Sequence, residues 1–161
     1  MVIIMCEQSK LEEGNRVLEV GTGSGYHAAV CAEIVAPSAS RNPGHVYTIE
    51  RIRSLADFAR ENLRRTGYQD RVTVVVGDGT IGYREAMPYD RIIVTASAPQ
   101  IPSPLVRQLK NEGIMAIPVG GRYGWQDLII VRKTKEGETS TESYGGVAFV
   151  PLIGKHGWEN E

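Results

Sequence analysis

Three acids and one glycine turn are the groups in this chain whose types and spacing could do chemistry. Glu19 stands two residues before a GxGxG turn made of Gly21, Gly23 and Gly25, with Thr22 inside it. Glu50 closes a second apolar run and is followed by Arg51, and Asp78 sits between Gly77 and Gly79 with Thr80 next. A glycine turn lets backbone approach a ligand where a Cβ would collide. The dinucleotide fingerprint GxGxxG would need glycine at position 26, which is Tyr26. A carboxylate close to a pyrophosphate would also repel it, by about 4 kcal/mol at an effective dielectric of about 20. The same carboxylate suits a phosphate-free nucleoside ligand bearing a sulfonium and an ammonium, which describes S-adenosyl-L-methionine. Glu50 is placed to accept hydrogen bonds from the ribose hydroxyls, and Asp78 from the adenine amino group. Alone, a strand-ending Glu or an Asp-Gly turn is an ordinary solvated feature. In this order at successive strand ends, the set points to an adenosine-bearing ligand.

Those residues need a scaffold that brings strand ends together. Short runs rich in Val and Ile occur at Arg16–Val20, His45–Ile49, Val72–Val76, Arg91–Thr95 and Ile114–Pro118. None alternates cleanly, which is the pattern of a sheet covered on both faces. Helical segments lie between them: Tyr26–Val35, the amphipathic run after Glu50 that stops at Gly67, and Pro104–Lys110. The first residues, MVIIMCEQSK, read as one more helix. Alternating strand and helix specifies an open, doubly wound parallel sheet. Asp127–Lys133 and Gly146–Pro151 read as two further strands forming an antiparallel edge, joined by a polar solvated loop. The expectation is an α/β, Rossmann-like class I methyltransferase fold of about seven strands, in one domain over residues 1–161. In such sheets ligands bind beyond the carboxyl ends of the strands. That rule adds Ser97, Ala98 and Pro99 after the fourth strand, and Val119 and Gly120 after the fifth, as substrate-side candidates.

A formal net charge of -1 with no basic block does not indicate a duplex nucleic-acid partner, and the apolar runs are too short to span a bilayer. Cys6 and Cys31 form no CxxC pair and have no histidine cluster in sequence, so they read as small buried thiols of a reducing, cytoplasmic compartment. No metal-ligand set and no nucleophile–base pair is evident, and nothing in the sequence assigns an oligomeric state. His27, at the start of the helix after the turn, is a minor candidate for the cofactor site. Trp125 and Trp158 read equally as edge packing or as contacts to a peptide.

The stretches VLEVGTGSGYHAAV, VYTIER, GDGTIGY, PYDRIIVTASAPQIPSPLVRQLKNEGIMAIPVG and GGVAFVPLIGKHGW, taken together, resemble the protein-L-isoaspartate (D-aspartate) O-methyltransferases along nearly the whole chain. GTGSG is generic to methyltransferases, whereas GDGTIGY, PYDRIIVTASAP and GVAFVPL are close to diagnostic. The resemblance implies methyl esterification of isoaspartyl residues in damaged proteins, with S-adenosyl-L-methionine as donor. It also implies an upstream motif bearing a hydroxyl residue; the present sequence starts at what resembles the Met of that motif. No catalytic residue is therefore carried over, and the alternative expectation is a cofactor-binding domain inactive alone. An acceptor carboxylate, with a reference pKa of about 4, is already ionised near neutrality. Such an attack needs positioning and a dry, shaped pocket rather than a strong base.

Overall fold

The computed structural model describes residues 1–160. Its elements are α1 (Val2–Gln8), β1 (Arg16–Val20), α2 (Tyr26–Val35), β2 (His45–Glu50), α3 (Arg53–Arg65), β3 (Val72–Val76), β4 (Tyr89–Val94), α4 (Ser103–Gln108), β5 (Leu109–Gly120), β6 (Gln126–Lys133) and β7 (Thr139–Val147). Two short 3-10 turns, Gly79–Ile81 and Arg84–Ala86, lie between β3 and β4. The strands form one seven-stranded sheet in the order β3-β2-β1-β4-β5-β6-β7. β1 to β5 run parallel, and β6 and β7 add antiparallel to the β5 edge. The order reverses between β1 and β4, which makes their carboxyl ends the switch point.

Side-chain alternation along the strands splits the core into two layers. Val17 and Ile93 face α1 and α2 together with Met5, Ala28 and Cys31, whereas Leu18, Val20, Ile92 and Val94 face α4 with Leu105. The parallel strands read as continuous apolar runs because both faces are covered. Glu19 occupies the same parity as Val17, so it points toward α1 and α2.

Expected and observed bounds coincide for β1, α2 and β3. The others shift by one or two residues at one or both ends, except at two places where the difference is larger. Helix α4 passes into β5 at Leu109 with no connecting loop, so β5 begins five residues earlier than its apolar run. The segment expected to be a solvated loop is largely strand β7, and Val150 and Pro151 fall outside it. β7 is an edge strand whose side chains are mostly exposed, so it is held by backbone pairing to β6 and carries no apolar signal. Its hairpin turn closes through Thr134 and Glu138, with Gly137 at φ 91°.

Candidate functional site

A cleft of about 580 Å³ opens at the switch point. Its floor is the turn after β1, its sides are the ends of β2, β3 and β4, and its outer wall is the C-terminal tail from Val150 to Ile153. Gly21, Gly23, Glu50, Arg51 and Gly79 line it, as the strand-end rule requires. Glu50 is buried at its mouth: one carboxylate oxygen accepts from the Gly23 N–H at 3.2 Å and the other from the Ile52 N–H at 3.1 Å. The acid is thus fixed against the glycine turn. Gly23 has φ +56°, and a Cβ built there meets no protein atom within 4 Å. Gly21 is enclosed instead, since its Cβ would lie 2.3 Å from Thr95 Oγ1.

Thr95 and Ala96 line the cleft, although the residues expected from that strand end were the next three. The Thr95 hydroxyl donates to the carbonyls of Gly21 (2.7 Å) and Val20 (3.0 Å), pinning the turn to β4. Arg122 and Tyr123, in the β5–β6 loop, also line the cleft. They stand far along the chain from the glycine turn, and only the fold brings them to it.

Other expected residues lie elsewhere. Glu19 is fully buried behind the turn and does not line the cleft. It accepts from the Thr48 hydroxyl at 2.5 Å, and Thr48 and Thr22 share a hydroxyl hydrogen bond at 2.7 Å. Burial pushes the Glu19 carboxyl up to about 7, against the pull of His27 and the Thr48 hydroxyl. The expectation that this acid faces a bound sulfonium is corrected: strand parity turns it to the opposite layer. Thr22 and Gly25 support the turn from below and beside it rather than lining the cleft. His27 is likewise behind the turn, with Nδ1 at 3.6 Å from a Glu19 oxygen and Nε2 at 3.4 Å from Cys6 Sγ. Burial disfavours its charged form, but the Cys6 contact and the Glu19 charge outweigh that and raise its pKa. The hydrogen bond from Cys31 holds the Cys6 thiol below its ordinary range despite burial, while the same bond and burial push Cys31 upward. The two cysteines, expected as plain buried thiols with no histidine cluster in sequence, share a cluster with His27.

Asp78 caps the 3-10 turn after β3. One carboxylate oxygen accepts from the Thr80 N–H (2.8 Å) and hydroxyl (2.7 Å), and the other from the Lys155 N–H (2.8 Å). Its lone pairs therefore hold the tail, and it borders a neighbouring hollow lined also by Lys155 and His156, not the cleft. In this structure the carboxylate ties the turn to the tail, and the adjacent Gly79 is the residue that reaches the cleft. The Thr80 hydroxyl accepts from the His156 N–H at 3.1 Å.

The substrate-side candidates lie beside the cleft, and two of them are covered. Ser97 and Ala98 are completely buried beneath the tail, where Ser97 donates to Val150 O and accepts from the Leu152 N–H and the Trp158 indole N–H. Ala98 pairs with Val119, and the Gly120 N–H donates to Ala98 O. None of these four, nor the exposed Pro99, lines the cleft. The tail has taken the backbone groups of Ser97, whereas those of Ala98 are taken by Pro118 and Gly120 at the end of β5. Trp158 is thereby an internal strut, whereas Trp125 is 92% exposed.

A parallel switch point with a glycine turn, an acid ending β2 and an antiparallel edge defines a Rossmann-like, class I methyltransferase domain. The sequence profile described as Protein-L-isoaspartate(D-aspartate) O-methyltransferase (PCMT) matches residues 1–157. The protein-L-isoaspartate O-methyltransferase of Hyperthermus butylicus is 59% identical over 160 residues, covering 98% of this chain and 66% of its own length. A solved protein-L-isoaspartate O-methyltransferase superposes with a TM-score of 0.84 at 30% identity, over 97% of this chain and 47% of that one. A beta-aspartate methyltransferase (PCMT) from Plasmodium falciparum, in complex with S-adenosyl-L-homocysteine, gives 0.80 at 27% identity, over 95% of this chain and 73% of that one. The chain belongs to the protein-L-isoaspartate (D-aspartate) O-methyltransferase family. It spans about two thirds of the curated relative's length and about half of the first solved structure's. Among the described residues, no helix is long and apolar enough to cross a membrane.

Proposed function

We propose that the protein takes part in methyl transfer from S-adenosyl-L-methionine to the free carboxylate of L-isoaspartyl and D-aspartyl residues in damaged proteins, the step that starts their repair. The observation that carries this reading is the cleft at the switch point, where Glu50 is locked against the Gly23 N–H and Gly23 leaves its Cβ space open toward the cavity. The residues fit the cofactor: an acceptor carboxylate for ribose hydroxyls, open backbone at the turn, and apolar walls from Val20, Ile49, Ile52 and Leu55. When bound, the cofactor supplies a methyl group on a positively charged sulfur, which the acceptor carboxylate oxygen takes as the carbon–sulfur bond breaks. The chain's part is positioning and exclusion of water, since the acceptor needs no deprotonation. Exposed Tyr123, Trp125 and Val150 stand at or near the rim, where an extended peptide could lie across them. A cytoplasmic setting, in which the two thiols stay reduced, belongs to the same reading.

Tritiated cofactor and an isoaspartyl peptide should give a base-labile methyl ester. No ester under conditions where S-adenosyl-L-homocysteine binds would overturn transfer by this chain and leave the cofactor reading alone. In the same assay series, Glu50→Ala is expected to weaken S-adenosyl-L-homocysteine binding by about 1–3 kcal/mol, because it orphans the Gly23 and Ile52 donors and removes the ribose acceptor. Calorimetry showing unchanged affinity would sink the proposed pose.

A further inference from the structure

The methyl-transfer reading leaves one buried reactive cluster unused. His27 and Cys31 stand one helical turn apart on the same face of α2, and Cys6 of α1 faces them. Cys6 Sγ lies 3.4 Å from His27 Nε2 and 3.9 Å from Cys31 Sγ, and the three donor atoms fall within 4.8 Å of one another. All three residues are buried, and none lines the cleft.

Zinc bonds of about 2.3 Å to sulfur and 2.0–2.1 Å to imidazole nitrogen, at tetrahedral angles, place two thiolates about 3.8 Å apart and a thiolate about 3.6 Å from a nitrogen. Two of the observed separations, Cys6 Sγ to His27 Nε2 and Cys6 Sγ to Cys31 Sγ, agree within a few tenths of an ångström, and the third, His27 to Cys31, lies within 4.8 Å, so a small closing movement of the side chains completes the set. We propose that Cys6, His27 and Cys31 form a zinc site that fastens α1 to α2 behind the glycine turn, with a solvent molecule in the fourth position. Glu19 completes the arrangement. Its Oε1 is buried without a hydrogen-bond partner and stands 3.6 Å from His27 Nδ1. A carboxylate on that side keeps the proton on Nδ1 and leaves Nε2, the nitrogen facing Cys6, free to coordinate. Glu19 is thus a positioning residue for this site. On binding, both thiols release their protons to solvent, and the two thiolates balance the charge of the ion. The mixed sulfur and imidazole donors favour zinc over magnesium or calcium, which take oxygen ligands. The site is independent of the methyl-transfer reading, since it touches neither the cleft nor its ligand.

The test is a metal titration of the reduced, chelator-treated protein. Cobalt(II) should bind once per chain with thiolate charge-transfer absorption and tetrahedral ligand-field bands, and zinc should displace it stoichiometrically. Zinc should also raise the melting temperature and shield both cysteines from alkylation. Cys31→Ser should remove the charge-transfer band or shift it and cut affinity at least tenfold. Glu19→Gln should keep the band but weaken binding by about tenfold, the scale for outer partners of a ligating histidine. The wild-type titration and the alkylation assay stand even where a variant fails to fold. The proposal is overturned if cobalt gives no charge-transfer band, if Cys31→Ser binds as the wild type does, or if zinc leaves alkylation unchanged. A protein isolated without reductant that is lighter by two hydrogens, and that binds no metal once reduced, would identify the pair as a disulfide instead.

Discussion

Gly23→Val is expected to abolish binding of S-adenosyl-L-homocysteine in calorimetry while leaving a cooperatively folded protein. The backbone at Gly23 has φ +56°, a conformation that costs a side-chain-bearing residue about 1–2 kcal/mol. That cost is tolerable for a domain of this size. The larger effect is steric. A Cβ at this position meets no protein atom within 4 Å, so the valine methyls project into the cleft where the ligand would lie. The comparison with Gly21 sharpens the point. There a Cβ would strike Thr95 Oγ1 at 2.3 Å and break the tie between the turn and β4, so Gly21→Val should damage the fold itself. Gly23→Ala should fall between wild type and valine. A folded Gly23→Val protein that binds with wild-type affinity would show that the turn does not border the ligand.

The glycine turn and Glu50 were legible in the sequence because each sits at the end of an apolar strand, and a parallel sheet collects those ends. The same logic gave β1 its bounds, since burial on both faces leaves a continuous apolar signature, while β3, an edge strand with Val72 alone fully buried, was legible from its run of valines. It failed where burial was not the organising force. β7 is polar and paired only through its backbone, so it resembled a loop. For Glu19 the residue type was noticed, but its direction is set by strand parity: beside Leu18 and Val20, which enter the α4 layer, it must enter the layer of α1 and α2. Asp78 was read as a ligand contact because its demand for donors is visible in sequence, whereas the donor that meets it, the Lys155 N–H, comes from the far end of the chain. The Cys6, His27 and Cys31 cluster was missed for a related reason. His27 and Cys31 are spaced one turn apart, a signal that was available, but their third partner lies on a different helix.

Asp78→Ala is expected to cost about 3 kcal/mol in stability at neutral pH, as three donors lose a charged acceptor: the Thr80 N–H, the Thr80 hydroxyl and the Lys155 N–H. The two sides of this tie differ. The Thr80 bonds shape the 3-10 turn that presents Gly79 to the cleft, and the Lys155 bond anchors the tail whose residues 150–153 wall it. Loss of the carboxylate should therefore hasten amide exchange at Leu152 and Trp158 and lower affinity for S-adenosyl-L-homocysteine, although Asp78 does not line the cleft. The pH dependence follows from the same bonds. Burial pushes the Asp78 carboxyl up, but the Lys155 and Thr80 donors, with help from His156, outweigh it and hold the carboxyl below its ordinary value of 3.8. The folded protein thus takes up this proton less readily than the unfolded chain, so the stabilisation is full above that value and is lost as pH falls through the lower, folded one. Urea unfolding should show a wide gap between wild type and Asp78→Ala at neutral pH that narrows in acid below 3.8. Asp78→Asn keeps an acceptor oxygen but no charge, and should lie between the two at neutral pH. Equal stability of wild type and Asp78→Ala at neutral pH would mean that the Ser97 bonds, the Trp158 indole and the His156–Thr80 bond hold the tail without the carboxylate.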